Sequence, residues 1–187
     1  MRWLSQGVAR IERAALILCM ALVLGLVLLN VVTRSIDYSL FWVDEAAVFA
    51  MVWACFIGAS LLVRLRLDFA VTVLTDPLPD ALRHAARVAV DALVLLFGLL
   101  MVVLCWWWFD LPTLAANNWQ LQPFFEATFN GIYMDRPTTV PFPKWWFFLV
   151  LPWFAITSTI HATANLMEDI AAMLGRQAFV ERTEAEI

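Results

Sequence analysis

The chain has 187 residues, 63% of them hydrophobic and only 15% charged, with a mean hydropathy of +0.80. Soluble domains carry about 25% charged and about 45–50% apolar residues, and a chain this short has too little interior to hide such an excess, so the missing solvent is lipid. The net charge of -4, from 12 Lys+Arg and 16 Asp+Glu with no basic run, argues against nucleic acid as a partner and against a polybasic membrane anchor.

Four windows nearly free of charge follow one another, at residues 14–33, 46–63, 88–109 and 145–167. About 20 helical residues cover the roughly 30 Å hydrocarbon core of a bilayer. Asp91 is the one formally charged side chain inside any window. The runs are unbroken rather than alternating, which selects helices over a β-barrel. The expectation is an all-α integral membrane protein, one membrane domain over residues 1–187 with four transmembrane helices.

Ahead of the first window, Leu4, Val8 and Ile11 recur at i, i+4, i+7 behind Trp3, so the tail reads either as a short interfacial helix or as a frayed end. The window itself outruns the 7–15 residues of a secretory signal and ends at Thr33-Arg34-Ser35 without a small-residue cleavage site, so it is a retained span. In the tight turn that follows, Arg34 can tie the first two helices together through Asp44 or Glu45. Those acids also suit the N-terminus of the second helix.

The second window carries a stripe of small residues, Ala46, Ala50, Ala54 and Gly58, at strict i, i+4 spacing. Such a stripe lets another backbone come close, in the same chain or in a partner. In the loop at 64–87, the apolar run 67–74 is too short to span and reads as an interfacial segment, ended by Asp76-Pro77-Leu78-Pro79. Asp91 enters the third window four residues after Arg87, on the same helix face, where a salt bridge near the interface lowers its cost. The rest of that window is mostly Leu, Val and Phe and suits a lipid-facing helix. The long loop at 110–144 holds five prolines and a set of aromatics; a loop of that length without regular pattern has a function or is disordered. The fourth window has a shorter small-residue stripe in Ala155, Thr159 and Thr163.

Orientation follows from the basic residues. With the N-terminus inside, Arg2, Arg10, Arg13, Arg64, Arg66, Arg83, Arg87, Arg176 and Arg182 are inside, against Arg34, Arg136 and Lys144 outside, a positive-inside bias that places both termini in the cytoplasm. Phe41-Trp42, the run Trp106-Trp107-Trp108-Phe109 and the run Trp145-Trp146-Phe147-Phe148 then fall at the outer interface, where amphipathic rings prefer to sit. Cys19, Cys55 and Cys105 lie inside windows with no C-x-x-C, which excludes thiol exchange of the membrane oxidase kind; they read as small apolar residues. His84 and His161 both fall toward the cytoplasmic side. A small haem- or quinone-binding redox protein is conceivable on them, but two histidines at unrelated spacing are more often a surface residue and a packing residue.

Taken in order, Asn30-Val31-Val32-Thr33-Arg34, Trp42-Val43-Asp44-Glu45-Ala46, Trp53, Gly58-Ala59, Arg64, the closing Leu78-Pro79, then Val140-Pro141-Phe142-Pro143-Lys144-Trp145 and Leu151-Pro152 resemble the small membrane subunit, DctQ type, of tripartite ATP-independent periplasmic (TRAP) transporters. The resemblance runs from about Ile11 to Met167. Asp68 stands where the family often has His, Thr72 where it often has Asp, and the outer loop is longer than usual. What the resemblance implies is a non-catalytic scaffold in a bacterial inner membrane, bracing a large polytopic subunit (M type) that moves a small organic acid by a sodium-driven elevator motion. A periplasmic binding protein delivers the substrate, and Phe124, Phe125, Tyr133 and Arg136 are the candidate docking residues for it. No cofactor is expected on this chain itself; sodium belongs to the large subunit, and membrane lipids are the remaining partner.

Overall fold

The computed structural model describes residues 2–66 and 79–173, without the side chains of residues 80, 81, 84, 172 and 173. The expected interfacial run at 67–74 lies outside the described residues. Among the described residues seven helices follow in order: α1 (Arg2–Ser35), α2 (Phe41–Leu65), α3 (Asp80–Phe109), α4 (Leu111–Ala116), α5 (Leu121–Thr128), α6 (Trp145–Phe148) and α7 (Val150–Met173). No strand occurs among the described residues, and four segments are long and apolar enough to cross a membrane.

The helix ends have local causes. After α1, Asp37 takes a left-handed conformation (φ 56°), and the Tyr38 amide donates back to the Thr33 carbonyl at 2.9 Å, a reversal that closes the helix end. At the end of α3, Asp110 is left-handed too, and its carboxylate accepts from the Thr113 amide at 3.3 Å, so one residue ends α3 and begins α4. The fourth span is interrupted between α6 and α7. Pro152 has no amide to give to the Phe148 carbonyl, and the helical ladder breaks there and resumes with Pro152 in its first turn.

Expectation and structure differ over the N-terminal tail. It is neither a separate interfacial helix nor a frayed end: α1 runs unbroken for 34 residues. The face it turns inward is Ser5, Ala9 and Glu12, all buried, while Trp3, Leu4 and Ile11 face out. In lipid the apolar face has no reason to turn inward, and the polar one must.

α7 is the hub. α3 packs along it, α2 packs on another side, and α1 packs along α2 and meets α7 as well. It is also the most enclosed span, with 44% of its apolar window buried against 6% for α1. Its buried face is small and polar: Ala155, Thr157, Ser158, His161, Ala162, Ala164 and Asn165. Hydroxyls of this face return to carbonyls one turn back, as in Thr159 Oγ1 to Ala155 (2.6 Å) and Thr163 Oγ1 to Thr159 (2.7 Å).

Among the described glycines, the closest approach to a neighbouring helix is on the third span. A β-carbon added at Gly98 on α3 would come within 2.5 Å of Thr159 Oγ1 and 3.4 Å of the Thr159 backbone. The third span is thus not wholly lipid-facing. Its outer face, including Leu93, Leu96 and Leu99, is exposed, but its glycine is pressed against α7.

Candidate functional site

The chain's chemistry is concentrated in three places: a buried polar cluster between α1 and α7, an ionic network at one end of the bundle, and a folded lobe at the other.

In the buried cluster, His161 uses both ring nitrogens. Nε2 lies 2.8 Å from Glu12 Oε2, and Nδ1 lies 2.7 Å from Ser5 Oγ. All three side chains have no exposed area. Glu12 Oε1 has no hydrogen-bond partner among the described residues. One turn earlier on α7, Thr157 Oγ1 is hydrogen-bonded to Ser60 Oγ of α2 at 2.7 Å. Polar pairs of this kind hold helices together where lipid supplies no hydrophobic drive. The arrangement does not favour the haem reading, because both nitrogens of His161 are engaged within the chain. The side chain of His84 lies outside the description.

At the same end of the bundle, α2 closes with two arginines that reach across to α7 and α3. Arg64 donates to Asn165 Oδ1 (2.7 Å) and pairs with Glu168 (3.3 Å). Arg66 makes a two-toothed contact with Asp169 at 2.8 and 2.9 Å, pairs with Asp91 on α3 at 3.1 Å, and donates to the Asn165 carbonyl at 2.8 Å. Arg2 approaches Glu168 at 3.7 Å. Burial works against the Arg66 guanidinium, but the hydrogen bond to Asp169 and the charges of Asp91, Asp169 and Glu168 outweigh it and hold its pKa above the usual arginine value. Arg66 itself sits left-handed at the end of α2 (φ 54°). Asp91 therefore takes its partner from another helix, and the expected Arg87 to Asp91 bridge is corrected: two residues four apart on one helix share a face, but the deeper carboxylate is reached by the arginine that crosses the bundle.

At the opposite end, Arg34 pairs with Asp44 at 2.8 Å and with Asn30 Oδ1 at 3.0 Å, and Asn30 donates to Asp44 as well. These groups are well exposed, where an ion pair contributes little. Glu45 does not join them. Its carboxylate accepts the amides of Thr138 (3.1 Å), Thr139 (2.8 Å) and Val140 (3.1 Å) and the Thr139 hydroxyl (2.6 Å). It fastens the returning segment of the long loop to the start of α2, with four donors on the one carboxylate.

The long loop is a folded lobe. Phe109, Leu114, Phe124, Ile132 and Tyr133 make a core against which Trp145, Phe148 and Leu149 pack. The Tyr133 hydroxyl donates to the Phe109 carbonyl at 2.5 Å. Burial, and then the nearby Asp110 carboxylate, pushes its pKa above the ordinary tyrosine value. Phe124 (1% exposed) and Tyr133 (7%) are therefore structural, which corrects their assignment to docking: the rings that make the lobe fold cannot also face a partner. Phe125 and Arg136 remain at its surface.

The small stripe on α2 is used inside the chain. Ala50 and Ala54 are buried, Ala46 and Gly58 half-buried, and the side of Gly58 faces Leu16 of α1 at 3.9 Å. The side of the same helix that faces the fourth span is marked by Phe49 stacked on Phe147 of α6 (3.8 Å) and Phe56 edge-on to Phe154 of α7 (5.4 Å). Glu12 was missed by sequence reasoning because it stands two residues outside the charge-free window. The signal was present in Ser5, Ala9 and Glu12 at i, i+4, i+7, a small and polar stripe leading into an apolar span, with a histidine in another span in need of a partner.

The sequence profile of the family described as "Tripartite ATP-independent periplasmic transporters, DctQ component" matches residues 23–172. No curated protein and no solved structure matches the chain.

Proposed function

The chain belongs to the DctQ component family of TRAP transporters, and from that membership we propose that it is the stationary small subunit of a secondary transporter, bracing a large subunit that carries the substrate. The observation that carries this reading is the family match, which covers the second, third and fourth spans completely and the C-terminal part of the first. The build of the bundle supports it. Apart from Glu12 Oε1, the buried charged and polar groups around His161 and around Arg66 are paired within the chain, which suits a rigid brace better than a carrier that must release ions. Transport then uses a sodium gradient bound by the large subunit, a periplasmic binding protein that captures a small organic acid, and no chemistry on this chain.

In this reading the protein lies in the inner membrane with both termini in the cytoplasm, as the distribution of arginines favours. The Arg66 network is then at the cytoplasmic end, and the lobe at 109–148 is periplasmic. The exposed turn with Met134, Asp135 and Arg136 is the part of the lobe offered to the binding protein. A mild-detergent pull-down tests the assignment: recovery of a large polytopic protein at a 1:1 ratio is expected. Recovery of this chain alone, across detergents that preserve its fold, contradicts it.

A further inference from the structure

The lobe has one apolar face that its own core does not use. Along α5, Phe124 turns into the core, whereas Leu121, Phe125 and Phe129 recur at i, i+4, i+8 and remain exposed, Phe129 at 83%. That spacing lines them on one side of the helix, and the rings of Phe125 and Phe129 touch edge-on at 6.3 Å. The polar face beside them is made by Gln122 and Glu126, whose side chains are hydrogen-bonded at 3.0 Å. A short helix with its apolar and polar residues so divided is built to lie in the plane of a membrane interface.

Its height is fixed by hydrogen bonds. Asn130 Nδ2 donates to the Trp108 carbonyl at 2.7 Å, in the last turn of α3, where Trp106 and Trp107 are 58% and 69% exposed. Phe129 is the adjacent residue, one Cα step of about 3.8 Å away, so it stands at the level of an aromatic belt. It is also held in place. Its φ of 54° is one that residues with a β-carbon rarely adopt. That conformation is closed by its own amide on the Phe125 carbonyl (2.7 Å), by Thr128 Oγ1 on the Phe124 carbonyl (2.8 Å) and by the Asn130 amide on Thr128 Oγ1 (3.2 Å).

We propose that the face formed by Leu121, Phe125 and Phe129 is an in-plane membrane anchor, seated at the boundary of headgroups and acyl chains beside the end of α3. Its partner is the phospholipid surface. Because α5 contains no basic residue, the anchor works through apolar area and draws no attraction from anionic headgroups. The inference needs the four spans and not the transporter role.

The test uses the full chain in phosphatidylcholine nanodiscs. In a background with Cys19, Cys55 and Cys105 changed to Ala, an environment-sensitive fluorophore is attached at Phe129→Cys or at Glu126→Cys. At 129, nitroxide lipids labelled near the headgroup should quench several-fold more than aqueous iodide, with the order reversed at 126, and exchanging a third of the lipid for phosphatidylglycerol should change neither. Iodide quenching at 129 equal to that at 126 overturns the proposal, as does protection of 129 from both quenchers, which would mean that protein covers it. The unaltered chain gives a second reading: a photoactivatable phosphatidylcholine should label the peptide containing 121–129 as it labels the one containing Trp106 to Trp108. Labelling of the second alone overturns the proposal too.

Discussion

Removing one partner of the Glu12 and His161 pair strands the other, fully enclosed, at the junction of α1 and α7. Breaking a buried pair in this way costs about 3–5 kcal/mol, whereas replacing both partners with apolar residues is often neutral. Glu12→Ala and His161→Ala should each lower the unfolding temperature in detergent strongly, while Glu12→Leu combined with His161→Leu should recover most of the loss. Glu12→Gln, which keeps a group able to bond the ring, should fall between. Equal losses in single and double variants would mean that the pair does not act as a unit. This contact also marks how far single residues could be read. Arg34 with Asp44 was legible, because both flank a tight turn and only a few geometries join them. Glu45 and Asp91 were not: each had a plausible partner nearby in sequence, and each was taken by groups far along the chain, 93 to 95 residues away for Glu45 and 25 for Asp91.

Among the helices, closeness is set by what a neighbour leaves room for, not by the tidiness of a stripe. Gly98 faces Thr159 with no space for a β-carbon, while Gly58 faces the tip of Leu16 at ordinary contact distance. Gly98→Leu should therefore push α3 off α7 and cost more than the roughly 1–3 kcal/mol typical of overpacking. Gly58→Leu should be milder, since a flexible leucine end can move, and Leu99→Ala on the exposed side should do little. Measured unfolding of the three variants decides it; a loss at Gly58 equal to that at Gly98 would place the tight contact on the wrong pair. Span existence was read well from sequence because lipid imposes about 20 apolar residues per crossing. Helix ends were read less well. The continuation of α1 to Arg2 and the break before Pro152 depend on a buried partner and on one missing amide, and neither shows in hydropathy. The lobe between α3 and α6 was the least legible part, because its short helices are held by Phe109 and Phe124 against Tyr133, contacts between segments that periodicity does not register.

For the molecule as a whole, the arginine distribution makes a prediction about sidedness. A reporter active only in the cytoplasm should work at either terminus and in the loop at 64–87, and fail when inserted after Trp119. Activity after Trp119 would invert the topology and move the lobe to the cytoplasm. The central functional claim is that this chain braces a transporter and does not itself transport. Uptake into proteoliposomes under an inward sodium gradient tests it most directly, with this chain alone, with the large subunit and binding protein alone, and with all three together. The account predicts solute accumulation only when all three are present, without ATP. Uptake by this chain alone, or full uptake by the other two without it, would contradict the account.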